Sequence, residues 1–332
     1  MSDAFRFSAE AVFPIVLLTA LGFFLKKTGL LTKDFLDTGN KLTFRVLLPV
    51  MLFSNVYKIE RLTDINPGFI IYGIAAIVVV FLLAVAVCCC FTKDNAKRGS
   101  LIQAVFRSNY AIIGIPLAES LFSGKGASAA GVMSAFCVPL LNILGVVTLT
   151  IFNGSTEKNE IDLKKIIGGV IRNPLIIGTI AGLATLGIRE LFMLGGIGFR
   201  LSDVAFVYKA LCSVSSICTP FALMVLGGRF EFSAVPKLFR EIVFGTVLRN
   251  AAVPLLGLSG AYLMRDTLGL SGEHFASYVG VFATPAAVAS AIMAKEMGAD
   301  GDLAGQLVVW TTLAGTVTVF VCVTVLRVLG IF

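Results

Sequence analysis

The sequence predicts an all-α membrane protein of ten transmembrane helices, arranged as two inverted five-helix repeats with broken crossing helices. Three observations predict it. The 332 residues are 57% hydrophobic and only 14% charged, with a mean hydropathy of +0.92, which is more apolar surface than a soluble chain of this size can bury. The apolar residues fall into runs of about 20, the length that crosses a hydrocarbon layer. Prolines and glycines recur at matched places in the two halves, as they do in carriers built from duplicated, flipped units.

Taken in order, the first five spans run roughly 9–25, 35–57, 68–91, 100–122 and 127–152. The most polar interval, NGSTEKNEIDLKK at 153–165, then divides the chain, and the second five run roughly 166–187, 201–227, 237–264, 275–297 and 301–332. The expected organisation is therefore a first repeat over 1–152, a loop over 153–165 and a second repeat over 166–332. Pro14 and Gly22 of span one are eight residues apart, and so are Pro174 and Gly182 of span six. Pro49 to Pro116 is 67 residues and Pro220 to Pro285 is 65, so the prolines keep step. An odd number of spans per half makes the second half enter from the opposite side. Lys and Arg in the loops number fourteen on one side and eight on the other, which places both termini outside the cell membrane (the inner membrane) and the central loop in the cytoplasm.

The first residues, MSDAFRFSAE, show no signal-peptide pattern, so span one is expected to be retained. The net charge of +7 is dispersed between apolar runs, which argues against nucleic acid as a partner and for membrane topology as its cause. Seven cysteines in apolar context, one histidine and no CxxC pair predict no metal site and no disulfide framework. There is no nucleophile paired with a base and no soluble domain, so neither an enzyme nor a cofactor is expected.

Chemistry is expected at two helix breaks. In RSNYAIIGIPLAESLF, residues 107–122, Pro116 leaves the carbonyl of Ile112 without its helical partner, at a cost of about 3 kcal/mol in a helix interior. Hydrocarbon offers no replacement partner, so such a break belongs beside protein or a watery cavity, with Arg107, Asn109, Tyr110, Ile113 and Pro116 around it. In VGVFATPAAVASAIMAKEM of span nine, Thr284 before Pro285 reads as a hydroxyl N-cap and a first helical residue, leaving the carbonyl of Val281 free. Two such breaks meeting near the midplane would present positive half-helix N-termini to an anion. Asn55 and Asn142 are further candidates for the cavity wall, and Glu119, one turn past Pro116, is a candidate coupling group. Arg45, Arg172, Arg249 and Lys209 read as side chains that snorkel to the interface.

The motifs RSNYAIIGIPLAESLFSGKG, LLPVMLFSN, RNPLIIGTIAGL, TPFALMVLGGRF and TPAAVASAIMAKEMG together resemble the auxin efflux carrier family in its prokaryotic branch, which includes malate permeases and is similar to the plant PIN auxin transporters. The resemblance runs nearly end to end. It implies a fold of the bile acid sodium symporter type, a homodimer, a scaffold from spans one, two, six and seven, and a transport domain from spans three to five and eight to ten. It also implies that Asn109, Tyr110 and Thr284, Pro285 and Ala286 bind the carboxylate of the cargo. The central loop is short compared with the plant members, and span three holds no acidic residue. The expected function is secondary transport of small organic anions, carboxylates such as malate or auxin-like acids, by elevator-type alternating access. A membrane sensor or channel that kept the fold without transport is the alternative.

Overall fold

The computed structural model describes residues 14, 17–57, 66–153, 168, 171–196, 198–230 and 234–332. Expectations that fall on the first dozen residues and on 154–165 lie outside them. Regular structure among the described residues is helical, and the exception is a single isolated β-bridge.

Helix α1 covers residues 17–27. Helix α2 runs from Lys33–Leu42 through a π turn at Thr43–Leu47 into Leu48–Tyr57. Helix α3 is Pro67–Phe91. It starts where Asn66 accepts a bond from the amide of Phe69 at 3.2 Å and Pro67 occupies the first turn, where its missing donor costs nothing. Asp94 caps α4a, Asn95–Phe106, in the same way.

Residues Ile115–Ile151 are helical throughout, yet the chain folds back near residues 123–127. A Cβ on Gly126 would collide with the carbonyl oxygen of Ala118, eight residues earlier. In a straight helix that separation is about 12 Å. The two arms are α4b, Tyr110–Phe122, and α5, Ser128–Ile151, which agrees with the spans read from the sequence.

The second half of the chain is helical as well. Helix α6 is Pro174–Leu194, capped by Asn173 on the amide of Leu175, and α7 is Ala205–Arg229. Helix α8 spans Val235–Leu263 with a π turn at Leu248–Ala252. Helix α9 comes in two pieces, α9a at Gly272–Phe282 and α9b at Val288–Glu296, and α10 is Gly301–Val328, capped by Asp300 on the amide of Leu303 at 2.9 Å. Six of these helices, α3, α5, α6, α7, α8 and α10, are long and apolar enough to cross a bilayer. In α4 and α9 the helix is interrupted, as expected.

Two sets of helices pack internally. In one, α2 lies against α6 and α7, and backbones touch where glycines allow it. Gly182 of α6 lies against the backbone of Phe53, four residues after Pro49 (53 − 49); Gly22 of α1 lies against the backbone of Met224, four residues after Pro220 (224 − 220). The contact is thus reciprocal: a glycine eight residues after a proline in each half of the chain meets the backbone four residues after a proline in the other half. In the second set, α3, α4, α5, α8, α9 and α10 pack together, with Tyr278 of α9a donating to the carbonyl of Phe69 at 2.6 Å and Gly114 against Gly280 where α4b crosses α9a.

Candidate functional site

The two interruptions hydrogen-bond to each other. The amide of Asn109 donates to the carbonyl of Pro285 at 2.9 Å, and the amide of Ala287 donates to the carbonyl of Arg107 at 3.0 Å. This pair brackets the antiparallel bridge between Ser108 and Ala286. Backbone groups that neither helix can satisfy are satisfied by the opposite break, the one arrangement open to irregular backbone away from water.

The breaks lie at other residues than the prolines alone indicated. The first falls at Arg107–Asn109, well before Pro116, and Pro116 sits exposed in the first turn of the continuing helix. A π turn at Tyr110–Gly114, in which the amide of Ile115 donates to the carbonyl of Tyr110, leads into that helix and leaves Pro116 in its first turn, where a missing donor is tolerated. In α9, Pro285 is inside the extended link and α9b begins only at Val288. The Thr284 hydroxyl donates back to the carbonyl of Gly280 at 2.6 Å, so it ends α9a and does not cap α9b. Pro116 and Pro285 are therefore not counterparts; the residue facing Ala286 is Ser108.

Between the two helix sets lies a cavity of about 60 Å³. On one side it is lined by Leu48, Met51 and Leu52 of α2, Leu175 of α6, and Cys218, Thr219 and Ala222 of α7. The other side is built from the breaks: Arg107 to Ile112 from the first, Ala287 to Ala289 from the second, with Leu141 and Asn142 of α5 behind. Both half-helix N-termini, at Tyr110 and Val288, thus open onto it, and the first amides of a helix have no partner within the helix. Those amides carry the positive end of the helix dipole.

Arg107 is only 4% exposed. Its guanidinium donates to Oδ1 of Asn142, to Oε1 of Gln103 at 3.2 Å and to Sδ of Met293. Among the described residues no acidic side chain pairs with it, so a buried cation stands at the cavity wall held only by neutral groups. Asn109 Nδ2 and Ser108 Oγ are buried in the same wall without any hydrogen-bond partner. A buried donor left unmade costs about 1–3 kcal/mol, and two such groups beside the Arg107 cation describe a place for an acceptor that carries negative charge.

A family described as membrane transport protein matches residues 7–323 of the chain. The chain belongs to that family. This is the auxin efflux carrier family that the motifs resemble. An uncharacterized transporter of Methanothermobacter thermautotrophicus is 22% identical over 316 residues, covering 95% of this chain and 97% of the relative. An uncharacterized transporter of Methanocaldococcus jannaschii is 23% identical over 279 residues, covering 79% and 80%.

Of the residues singled out in the sequence, this membrane transport protein brings Arg107, Asn109, Tyr110 and Asn142 together at the cavity. Tyr110 points its hydroxyl away, to the carbonyl of Ala130 and to Ser277, so its backbone and not its phenol faces the space. Ile113, Thr284 and Ala286 are buried in the surrounding core, Pro285 contributes its carbonyl to the link, and Asn55 lies half-buried outside the lining. Glu119 is exposed on the outer face of α4b, away from the cavity, and forms no ion pair among the described residues. Arg45, Arg172 and Lys209 are exposed, as snorkelling requires, but Arg249 is completely buried. Residues that sequence reasoning missed are Ser108, Gln103, Ala287 and Arg249; for Arg249 the signal was present, a lone charge in the apolar run VLRNAAVPL.

Proposed function

We propose that this membrane transport protein is a secondary carrier of small organic anions that works by elevator-type alternating access. The observation that carries the reading is the convergence of two half-helix N-termini, the unpaired cation of Arg107 and the unpartnered Nδ2 of Asn109 on one cavity. A carboxylate accepts from amides and from a guanidinium, and at this spot it would find both without displacing any acid. The apolar wall of α2, α6 and α7 suits the hydrocarbon part of such a cargo. The cavity lies on the seam between α2, α6, α7 and the remaining helices, and in this structure it holds no more than a few waters. Cargo therefore enters when the two sets part, which is the motion of a transport domain (α3–α5 and α8–α10) against a scaffold (α1, α2, α6 and α7). The reciprocal glycine contacts and the paired breaks support two five-span repeats of opposite orientation, the full ten-span arrangement; the homodimer follows from the family resemblance alone, and the cell membrane with both termini outside from the distribution of Lys and Arg in the loops.

The test is uptake of labelled malate and of an indole carboxylic acid by proteoliposomes containing the purified protein. Saturable uptake of at least one acid is expected, with a several-fold higher half-saturation concentration in Asn109→Ala. Uptake of neither acid, or a mutant indistinguishable from the parent, overturns the assignment.

A further inference from the structure

Arg249 is buried with no exposed atom surface to speak of, 0%, and all its recorded partners are backbone carbonyls. Nε donates to the carbonyl of Thr284 at 2.8 Å, and Nη2 to the same oxygen at 2.6 Å and to that of Val281 at 3.0 Å. Nη1 donates to the carbonyl of Val105 at 3.0 Å and to that of Phe106 at 3.5 Å. These four carbonyls belong to two different places in the chain: Val105 and Phe106 end α4a, and Val281 and Thr284 end α9a. One side chain closes the C-termini of both half-helices.

The last carbonyls of a helix have no partner within it and carry the negative end of the dipole, about half a charge. Two such ends brought together deep in a protein form a ready cage for a cation, and in membrane carriers half-helix C-termini and unwound carbonyls are where sodium ions or protons are bound. Here the cage is filled by a group from the protein itself. Two ends at about −0.5 each sum to about −1, which the guanidinium balances without a carboxylate. The planar fork also offers five donors in a fixed arrangement, enough for the four carbonyls of both helices, where an ammonium has three.

The arginine is set in place by an unusual piece of helix. It lies in the π turn at Leu248–Ala252 of α8, whose wider winding turns the side chain inward. Its neighbour Asn250 ties the same turn to α10, donating to the carbonyl of Thr311 at 2.9 Å, while the hydroxyl of Thr311 accepts from the amide of Ala286 in the link. Helices α8 and α10 therefore grip the crossing from behind, on the side opposite the cavity.

We propose that Arg249 is a tethered cation that holds the two broken helices together in the place of a bound inorganic ion, so that assembly of the crossing needs no sodium. It is a positioning residue: it does not line the cavity but fixes the two breaks whose N-termini do. The claim concerns the protein without cargo and stands whether or not an organic anion is carried.

The experiment measures thermal unfolding of the purified full-length protein, free of added acids, in sodium chloride, potassium chloride and choline chloride, for the parent and for Arg249→Ala and Arg249→Lys. The parent is expected to melt at the same temperature in all three salts. Arg249→Ala is expected to melt about 5–10 °C lower, because four buried carbonyls lose their donors, and to regain part of the loss in guanidinium or methylguanidinium at tens of millimolar, below denaturing concentrations. Arg249→Lys falls between the two. A parent whose melting temperature rises with sodium but not with choline overturns the proposal, and so does an Ala variant that loses stability without any recovery from the small guanidinium ions. If Arg249→Ala does not fold, the salt comparison on the parent and the Lys variant still decides it: sodium independence with a lowered melting temperature for Lys supports the tethered cation, and sodium dependence refutes it.

Discussion

Where the broken helices cross, Gly280 of α9a touches Gly114 of α4b, and adding one carbon there tests the crossing directly. A Cβ at position 280 would lie 2.8 Å from the Gly114 Cα, 2.9 Å from its carbonyl oxygen and 2.9 Å from Cε2 of Tyr110. Ordinary contact begins near 3.4 Å, so about 0.6 Å of separation is needed (3.4 − 2.8). The backbone of Gly114 cannot rotate away, and Tyr110 is held at its hydroxyl by Ala130 and Ser277. Overpacking of this kind costs about 1–3 kcal/mol, at the upper end when backbone is the obstacle. Alanine in a helix interior recovers about 1 kcal/mol relative to glycine, which leaves a net loss of about 1–2 kcal/mol. That corresponds to a fall of about 2–8 °C in melting temperature. Gly131 of α5 is the control, since nothing lies within 4 Å of its added Cβ, and there the same change is expected to raise the melting temperature by a few degrees. A thiol-reactive dye reads both, because Cys88, Cys137 and Cys218 are free and buried until the protein unfolds. If Gly280→Ala stabilises the protein as Gly131→Ala does, the helices are not in contact there and the crossing described above is wrong.

Arg107→Gln removes the charge at the cavity wall while keeping a polar side chain. Losing a hydrogen bond to a charged group costs about 1.5–3 kcal/mol, so the half-saturation concentration for a transported acid is expected to rise about 10- to 100-fold in the proteoliposome assay; an unchanged value removes Arg107 from the site. Glu119→Gln alters an exposed group away from the cavity and is expected to leave both the rate of uptake and its pH profile unchanged; a flattened pH profile would restore Glu119 as a coupling group.

The helical class, the hairpin between residues 122 and 128, and the existence of two breaks were legible in the sequence because composition and proline act locally. A proline must be accommodated within a turn of itself, and the runs of apolar residues need nothing beyond their own length. The positions of the breaks were not legible, since a π turn at Tyr110–Gly114 leads into a helix that carries Pro116 in its first turn, and no residue type announces a π turn. Arg249 was misjudged for a related reason. Distance along the helix to its end placed it within reach of the interface, but the side chain turns inward to carbonyls from residues 32 to 144 positions away in sequence, and only the tertiary arrangement makes that favourable. Asn109 and Arg107 were singled out because polar residues beside a break have few uses other than lining it, and both lie in the cavity wall.

The division of charge at the crossing is the physical basis of the anionic cargo proposed above. Two interrupted helices bring two C-termini as well as two N-termini into a small volume, and taken alone their dipoles cancel at any distance larger than the gap. At about half a charge per terminus the four ends sum to zero. Arg249 changes the balance on one side only: its unit charge offsets the two C-termini at Phe106 and Thr284, so that end of the crossing is close to neutral. On the cavity side the N-termini at Tyr110 and Val288 contribute about +1 together, and Arg107 adds another positive charge that no acidic side chain among the described residues pairs with. The cavity is therefore left with about two positive charges in a setting of low dielectric, where their effect on a carboxylate is far stronger than in water. The anion preference we propose thus rests on two arginines in separate roles, one neutralising the ends that would repel an anionic cargo and the other standing beside the ends that would attract it.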